Sequence, residues 1–324
     1  NDGLNTLVPY ANKRYYELRP VLGITEDKVL KINNDLGFHP GMKGISELYN
    51  EKKVAVIQNV GYPNANRSHF KSMDIWHSAS PEQTMKYKPL ALTAKNASIP
   101  CFASLVDIQS MVGDPDAEAM LRKIQGMDAM EGSATRVVQQ ANKSALDAMS
   151  ALNKQLAGYA PKQTYGNDAF GNGFKQIAQL VATSPATRVV YLSAGGFDTH
   201  ARQAESQERL LTGLSNAVTA FQREMEAIGK ADKVMVLVFS EFGRRSYENA
   251  SGGTDHGAAG PMLLIGKNVK GGLYGKLPNL SDLQDGDLKF DIDFRQVYAT
   301  ALDNWIGGDS GVVLGKQFDK IAAV

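Results

Sequence analysis

Four short aliphatic runs, Val54–Ile57, Val189–Leu192, Val234–Phe239 and Met262–Ile265, constrain the fold of this chain more than any other feature. Each is apolar at successive positions rather than alternate ones. That is the pattern of strands covered on both faces, as inside a parallel sheet flanked by helices. Between the runs lie amphipathic helical patterns. Leu210, Leu211, Leu214, Val218, Phe221, Met225 and Ile228 recur at three- and four-residue spacing. They join the run ending at Leu192 to the one starting at Val234 as a βαβ unit. The same spacing predicts helices over Ala134–Leu156 (Val138, Ala141, Ala145, Met149, Leu152 and Leu156 on one side), near Phe174–Ala182 and over Asp293–Trp305. The Met-rich, strand-poor stretch 107–160 reads as a helical insertion beside the sheet. The expected fold is a single α/β domain over 1–324, a largely parallel sheet sandwiched by helices.

Composition narrows the function classes. Thirty-five basic residues against 34 acidic ones leave a net charge of +1, which argues against binding nucleic acid through bulk charge. No apolar stretch approaches the ~18 residues of a membrane span. The lone Cys101 excludes an internal disulfide and a thiolate metal cluster.

In an open parallel sheet the ligand site lies beyond the carboxyl ends of the strands, and the polar residues collect just after the apolar runs. Asn66-Arg67-Ser68-His69 follows the first run; Ser68 is a candidate nucleophile, or else an N-cap. Gly195-Gly196-Phe197-Asp198-Thr199-His200 follows the second. Asp198 and His200 point the same way in extended backbone, as metal ligands would, unless Asp198 caps the helix that follows. After the third come Ser240-Glu241-Phe242-Gly243-Arg244-Arg245 and then Gly253-Thr254-Asp255-His256-Gly257, with a second acid–imidazole pair, Asp255 and His256. Arg244 and Arg245 suit an oxyanion such as phosphate or sulfate, or else a surface salt bridge. Of five histidines, His69, His200 and His256 fall in these loops, whereas His39 and His77 read as core or rim residues.

These blocks, with Asn1-Asp2-Gly3-Leu4-Asn5 and Asp293-Phe294-Arg295, closely resemble the domain of unknown function 1501 family, nearly end to end. The resemblance implies a bacterial protein exported by the twin-arginine route, periplasmic or at the cell surface. It also implies a branch of the alkaline-phosphatase and sulfatase superfamily, and hence a metal-dependent hydrolase of phosphate or sulfate esters. On that scheme Asp198, His200 and His256, with Asp255 beside them, hold one divalent ion, and Glu241 with Asp2 holds a second. The ion or ions would be zinc, manganese, iron or calcium. Ser68 is the nucleophile, with His69 as the alternative functional residue, and Asn5, Arg67, Arg244 and Arg245 meet the oxyanion of a small ester or anionic saccharide. Related hydrolases usually carry Asp-His where this chain has Glu241-Phe242, which points to a site with fewer metal ligands.

In the family the Asp-Gly-Leu-Asn block follows an apolar strand, and none precedes Asp2 here. One expectation is that upstream residues were removed with an export signal or lie outside this sequence. The other is a vacant slot in the sheet, filled by a strand from another chain, giving a homo-oligomer or strand-complemented assembly. A non-catalytic surface or filament subunit on the same scaffold, or a carbohydrate- or anion-binding module, is the rival to the hydrolase.

Overall fold

The computed structural model describes residues 1–82, 123, 134–184 and 187–324. The chain divides into two compact units, Asn1–Tyr87 with Gly195–Val324, and Lys88–Ala194.

The first unit is built around β4 (Val54–Gly61), buried at all eight positions. It follows α1 (Gly3–Thr6), β1 (Leu7–Val8), α2 (Lys13–Leu18), β2 (Leu30–Lys31), β3 (Gly37–Phe38) and α3 (Lys43–Asn50). β1, β3 and β2 form a small antiparallel sheet of their own. After β4 come α4 (His69–Ser78), the long α7 (Gln203–Ala227), β5 (Val236–Val238), β6 (Gly260–Ile265), β7 (Gly272–Tyr274), β8 (Ile292–Asp293), α8 (Phe294–Ala301) and α9 (Ser310–Leu314). In the main sheet β5, β6, β4 and β7 are neighbours in that order, and β8 pairs with the end of β4.

The sheet corrects the expectation of a largely parallel one. β6 runs antiparallel to both β4 and β5, and only β7 and β8 run parallel to β4. The cause lies in the connection. A parallel pair needs a crossover, usually a helix, to carry the chain back to its starting end. Residues 239–259 hold no helix, so β6 begins at the end where β5 finishes and returns alongside it. Val189–Leu192 forms no strand either: residues 187–199 are described without strand pairing, and Val189 is 70% exposed. The other three runs are strands.

Burial on both faces of β4 follows from its composition. Ala55, Ile57 and Val60 join Ile75 and Trp76 of α4, Met262 and Leu264 of β6, and Phe294 and Val297 of α8 in one core. Trp76 stacks on Phe294 at 4.3 Å and on Phe239 at 5.1 Å between ring centroids. Such pairs add ~0.5–1.5 kcal/mol each beyond their buried area. The alternate residues Val54, Val56, Leu263 and Ile265 are equally buried. The α7 stripe read from the sequence is the inward one: Leu211, Leu214, Val218, Phe221 and Met225 are all buried. A register shift between Ile57 and Val60, with Asn59 at φ +48°, bends the end of β4 so that Val60 and Gly61 meet β8.

In the second unit, α5 (Ala134–Ala157) and α6 (Ala169–Thr183) match the helices expected there. Gln179 Nε2 donates to the carbonyls of Leu156 and Tyr159, both at 3.0 Å. Leu192 lies against Gly173 of α6, where a Cβ would fall 2.6 Å from its Cδ1. Most of 107–133 in the expected insertion, and Cys101, lie outside the described residues. No helix among the described residues is long and apolar enough to cross a membrane.

Candidate functional site

Four segments of the first unit meet at one end of the main sheet. His69 opens α4, Asp198 and His200 precede α7, Glu241 follows β5, and Asp255 and His256 precede β6. Because β6 is antiparallel, its start lies beside the end of β4, where Val60 faces Gly260. The reversed strand therefore brings His256 to the site that a parallel strand would have reached with its other end.

Local backbone fixes the rest. Residues 243–245 pair with 255–258: Gly243 N donates to Ala258 O, Gly257 N to Gly243 O and Arg245 N to Asp255 O, with Arg244 bridged to His256. This approach needs Gly257, since a Cβ there would collide with the carbonyl carbon of Arg244. Gly253 plays the same part against the backbone of His200. Glu241 is tied to α4 through Ser72, whose hydroxyl donates to Glu241 O at 2.5 Å and pairs with Tyr62 Oη at 3.0 Å.

Asp198 is the hub. Its Oδ1 lies 2.6 Å from an Arg244 guanidinium nitrogen, 2.8 Å from His200 Nε2 and 2.9 Å from His256 Nε2; its Oδ2 lies 3.2 Å from His69 Nε2. One ligand atom each from His69, Asp198 and His256 lie within 4.8 Å of one another. Burial would push the Asp198 carboxyl up, but its bonds to Arg244, His256 and His69 and the nearby His200 hold it well below the usual carboxylate range.

The other ring nitrogens have acceptors. His69 Nδ1 lies 2.7 Å from Glu241 Oε1, His200 Nδ1 3.0 Å from Asp255 Oδ1, and His256 Nδ1 2.7 Å from Arg67 O. A carbonyl or an ionised carboxylate only accepts, so a proton on Nδ1 satisfies each of these contacts; the ring is then either neutral, with a lone pair on Nε2, or protonated, with Nε2 donating to Asp198. Both carboxylates are ionised. The bond to His200 leads in lowering the Asp255 pKa; burial raises that of Glu241 but is outweighed, chiefly by the bond to His69. His69 Nε2 is a buried atom whose 3.2 Å contact with Asp198 Oδ2 is the longest of the three imidazole contacts to that carboxylate. His200 and His256 bring their Nε2 atoms within 3.0 Å of each other. Phe242 packs at 4.9 Å on the His69 ring and 4.7 Å on that of His256.

The remaining sequence candidates lie elsewhere or hold other partners. Asp2 and Asn5 are interior: Asp2 is 1% exposed, caps α1 and pairs with the fully buried Arg19 at 2.5 Å. Asn5 Oδ1 accepts from Tyr15 Oη and from Arg19. The Arg67 guanidinium is held by Asp287, at 3.0 and 2.5 Å. The Arg244 side chain is fully buried, and Arg245 donates to Asp285 O and lies over Tyr247. Ser68 is exposed at the N-cap of α4 and makes no side-chain cap bond. Gln203, Thr254, Arg19 and Asp287, all buried around the site, were assigned no role from sequence. None belongs to an acid–imidazole pair, and only their partners mark them.

The family model described as Protein of unknown function (DUF1501) matches residues 102–316, about two thirds of the chain. No curated protein and no solved structure matches it.

Proposed function

The chain belongs to the DUF1501 family, and we propose that it is a metal-dependent hydrolase of phosphate or sulfate esters working outside the cytoplasm. The observation that carries this reading is the shared orientation of three imidazoles. Each has its Nδ1 beside an oxygen acceptor and its Nε2 turned to one carboxylate, Asp198. In neutral rings protonated at Nδ1 the three Nε2 lone pairs converge on an anion, an arrangement that protons or a cation between them relieve. An acceptor on Nδ1 with Nε2 free is also how metal-ligating histidines are commonly held. The donor set fits: His69, His200, His256 and Asp198 would hold the ion, while Glu241 and Asp255 orient two of the rings. Three imidazoles suit zinc, manganese or iron and not the all-oxygen shell of calcium.

A bound divalent ion supplies Lewis acidity, lowering the pKa of a hydroxyl upon it and offsetting charge on a transferred phosphoryl or sulfuryl group. Ser68 would be the nucleophile: it is exposed, makes no side-chain cap bond, precedes His69 directly and stands at the positive end of α4. Arg67, 38% exposed and paired with Asp287, would meet a substrate oxyanion, whereas buried Arg244 holds Asp198.

The test is hydrolysis of p-nitrophenyl phosphate and p-nitrophenyl sulfate by the zinc- or manganese-loaded protein and by Ser68→Ala. Hydrolysis of one ester, lost in Ser68→Ala with bound metal retained, is the expected result. Loaded protein inert on both esters, or Ser68→Ala at the parent rate, contradicts the hydrolase or the nucleophile respectively.

A further inference from the structure

Behind Asp198 runs a buried chain of hydrogen bonds whose direction is fixed at every link. Gln203 Nε2 donates to Asp2 Oδ2 at 2.5 Å. Gln203 Oε1 accepts from two hydroxyls, Thr199 Oγ1 at 3.0 Å and Thr254 Oγ1 at 2.6 Å. Thr254 Oγ1, having given its proton to Gln203, accepts from Arg244 Nε at 3.2 Å, and Thr254 O accepts from another guanidinium nitrogen. The third guanidinium nitrogen of Arg244 reaches Asp198 Oδ1 at 2.6 Å. Gln203 and Thr254 are 0% exposed and Arg244 is 2% exposed. A carboxylate at one end requires the amide of Gln203 to donate there. Its oxygen must then take the hydroxyl protons, and Thr254 is left with a lone pair for Arg244. Reversing one link would leave a buried donor facing a donor.

We infer that Gln203 and Thr254 are positioning residues of the site: they lock the Arg244 guanidinium in one orientation, and Arg244 in turn fixes the Asp198 carboxylate on which the three imidazoles converge. A planar guanidinium with five donors suits this role, because two edges held by one residue determine where the third points. Asp198 is 45% exposed, and Arg244 is the permanently charged donor beside the three imidazoles that contact its carboxylate. The bridge ends on the Asp2–Arg19 pair, so the site is anchored to the buried N-terminal block and not to its own exposed loop. The inference rests on the metal reading for its consequence, but the coupling it asserts exists in the metal-free protein as well.

The experiment uses the full chain with Thr254→Val, which keeps shape and removes the hydroxyl, and Thr254→Ser, which keeps it. Zinc affinity is read by chelator competition, and the d–d absorption of the cobalt-substituted protein reports ligand geometry. Loss of an outer-shell partner of a metal ligand typically costs 10- to 100-fold in affinity. The expected result is a loss of that size and an altered cobalt spectrum in folded Thr254→Val, with Thr254→Ser within roughly threefold of the parent. Parent-like zinc affinity and spectrum in folded Thr254→Val overturn the inference, since a merely structural threonine would lower stability without moving either. A double-mutant cycle of Thr254→Val with Asp198→Asn, on metal-free protein in urea, decides the case where the parent binds no metal or Thr254→Val is poorly folded at ambient temperature. Non-additive losses uphold the coupling, and additive losses refute it.

Discussion

Replacing Asp2 by asparagine removes one charge from a pair taken entirely out of water. The Arg19 and Asp2 side chains are 0% and 1% exposed and lie 2.5 Å apart. Removing one partner of such a pair costs ~3–5 kcal/mol, because the other charge stays buried. The lower end applies here. Arg19 keeps three acceptors, Ser246 O at 2.9 Å, Arg245 O at 2.9 Å and Asn5 Oδ1 at 2.8 Å. The asparagine oxygen still accepts from Gln203. The expected loss is about 3 kcal/mol, and with a urea slope of ~3 kcal/mol/M the unfolding midpoint falls by about 1 M at unchanged slope. Bound metal is retained, since the oxygens of Asp2 are held by Arg19, Gln203 and Asn5 N and not by the histidine cluster. Equilibrium urea unfolding, paired with metal content of the folded variant, measures both. An unchanged midpoint with metal lost would refute the reasoning and restore Asp2 as the ligand expected from the resemblance.

Further expectations concern the close backbone approach and the surface. Gly257→Ala places a Cβ against the Arg244 backbone and costs ~1–3 kcal/mol in overpacking. It should also weaken zinc binding, because that approach sets His256 beside Arg244; thermal melts and chelator competition check the two effects. Glu51 has its pKa lowered to about 2, first by the bond to Arg223 and then by that to Lys53. A depressed carboxyl stabilises fully above its unfolded value near 4.5, and that contribution is lost as pH falls through about 2. Screening at this exposed site keeps it below about 1 kcal/mol. Glu51→Gln should flatten the stability–pH curve between those values, and an identical slope in parent and variant would contradict the assignment.

The helices were legible because burying one side of a helix demands apolar residues at three- and four-residue spacing: the inward positions of α7 and the extents of α5 and α6 follow from that stripe. Strand direction was not legible. An uninterrupted apolar run such as Val54–Ile57 reports burial on both faces, and burial does not distinguish a parallel neighbour from an antiparallel one. The decisive feature was the helix-free connection 239–259, whose length alone admitted a crossover. Val189–Leu192 has strand composition, yet Leu192 packs beside Gly173 of α6, a preference set by tertiary contacts. At the site, histidines beside aspartates in separate loops singled out His200, Asp198, Asp255 and His256, whose side chains the structure brings into contact. The partners of Asp2, Asn5 and Arg244 depend on interior geometry, and a buried carboxylate paired to arginine has the same sequence as one exposed to a ligand. Gln203 and Thr254 carry no such signal, since glutamine and threonine are common in helices and loops alike.

The central claim is that three imidazoles and Asp198 form a metal centre, and metal stoichiometry by plasma mass spectrometry tests it most directly. Protein purified without chelators and then offered zinc, manganese and iron would be compared with Asp198→Ala and His256→Ala. About one tightly held ion per chain, absent from both variants, is the expected result. No ion in the folded parent, even with metal in excess, would contradict the account.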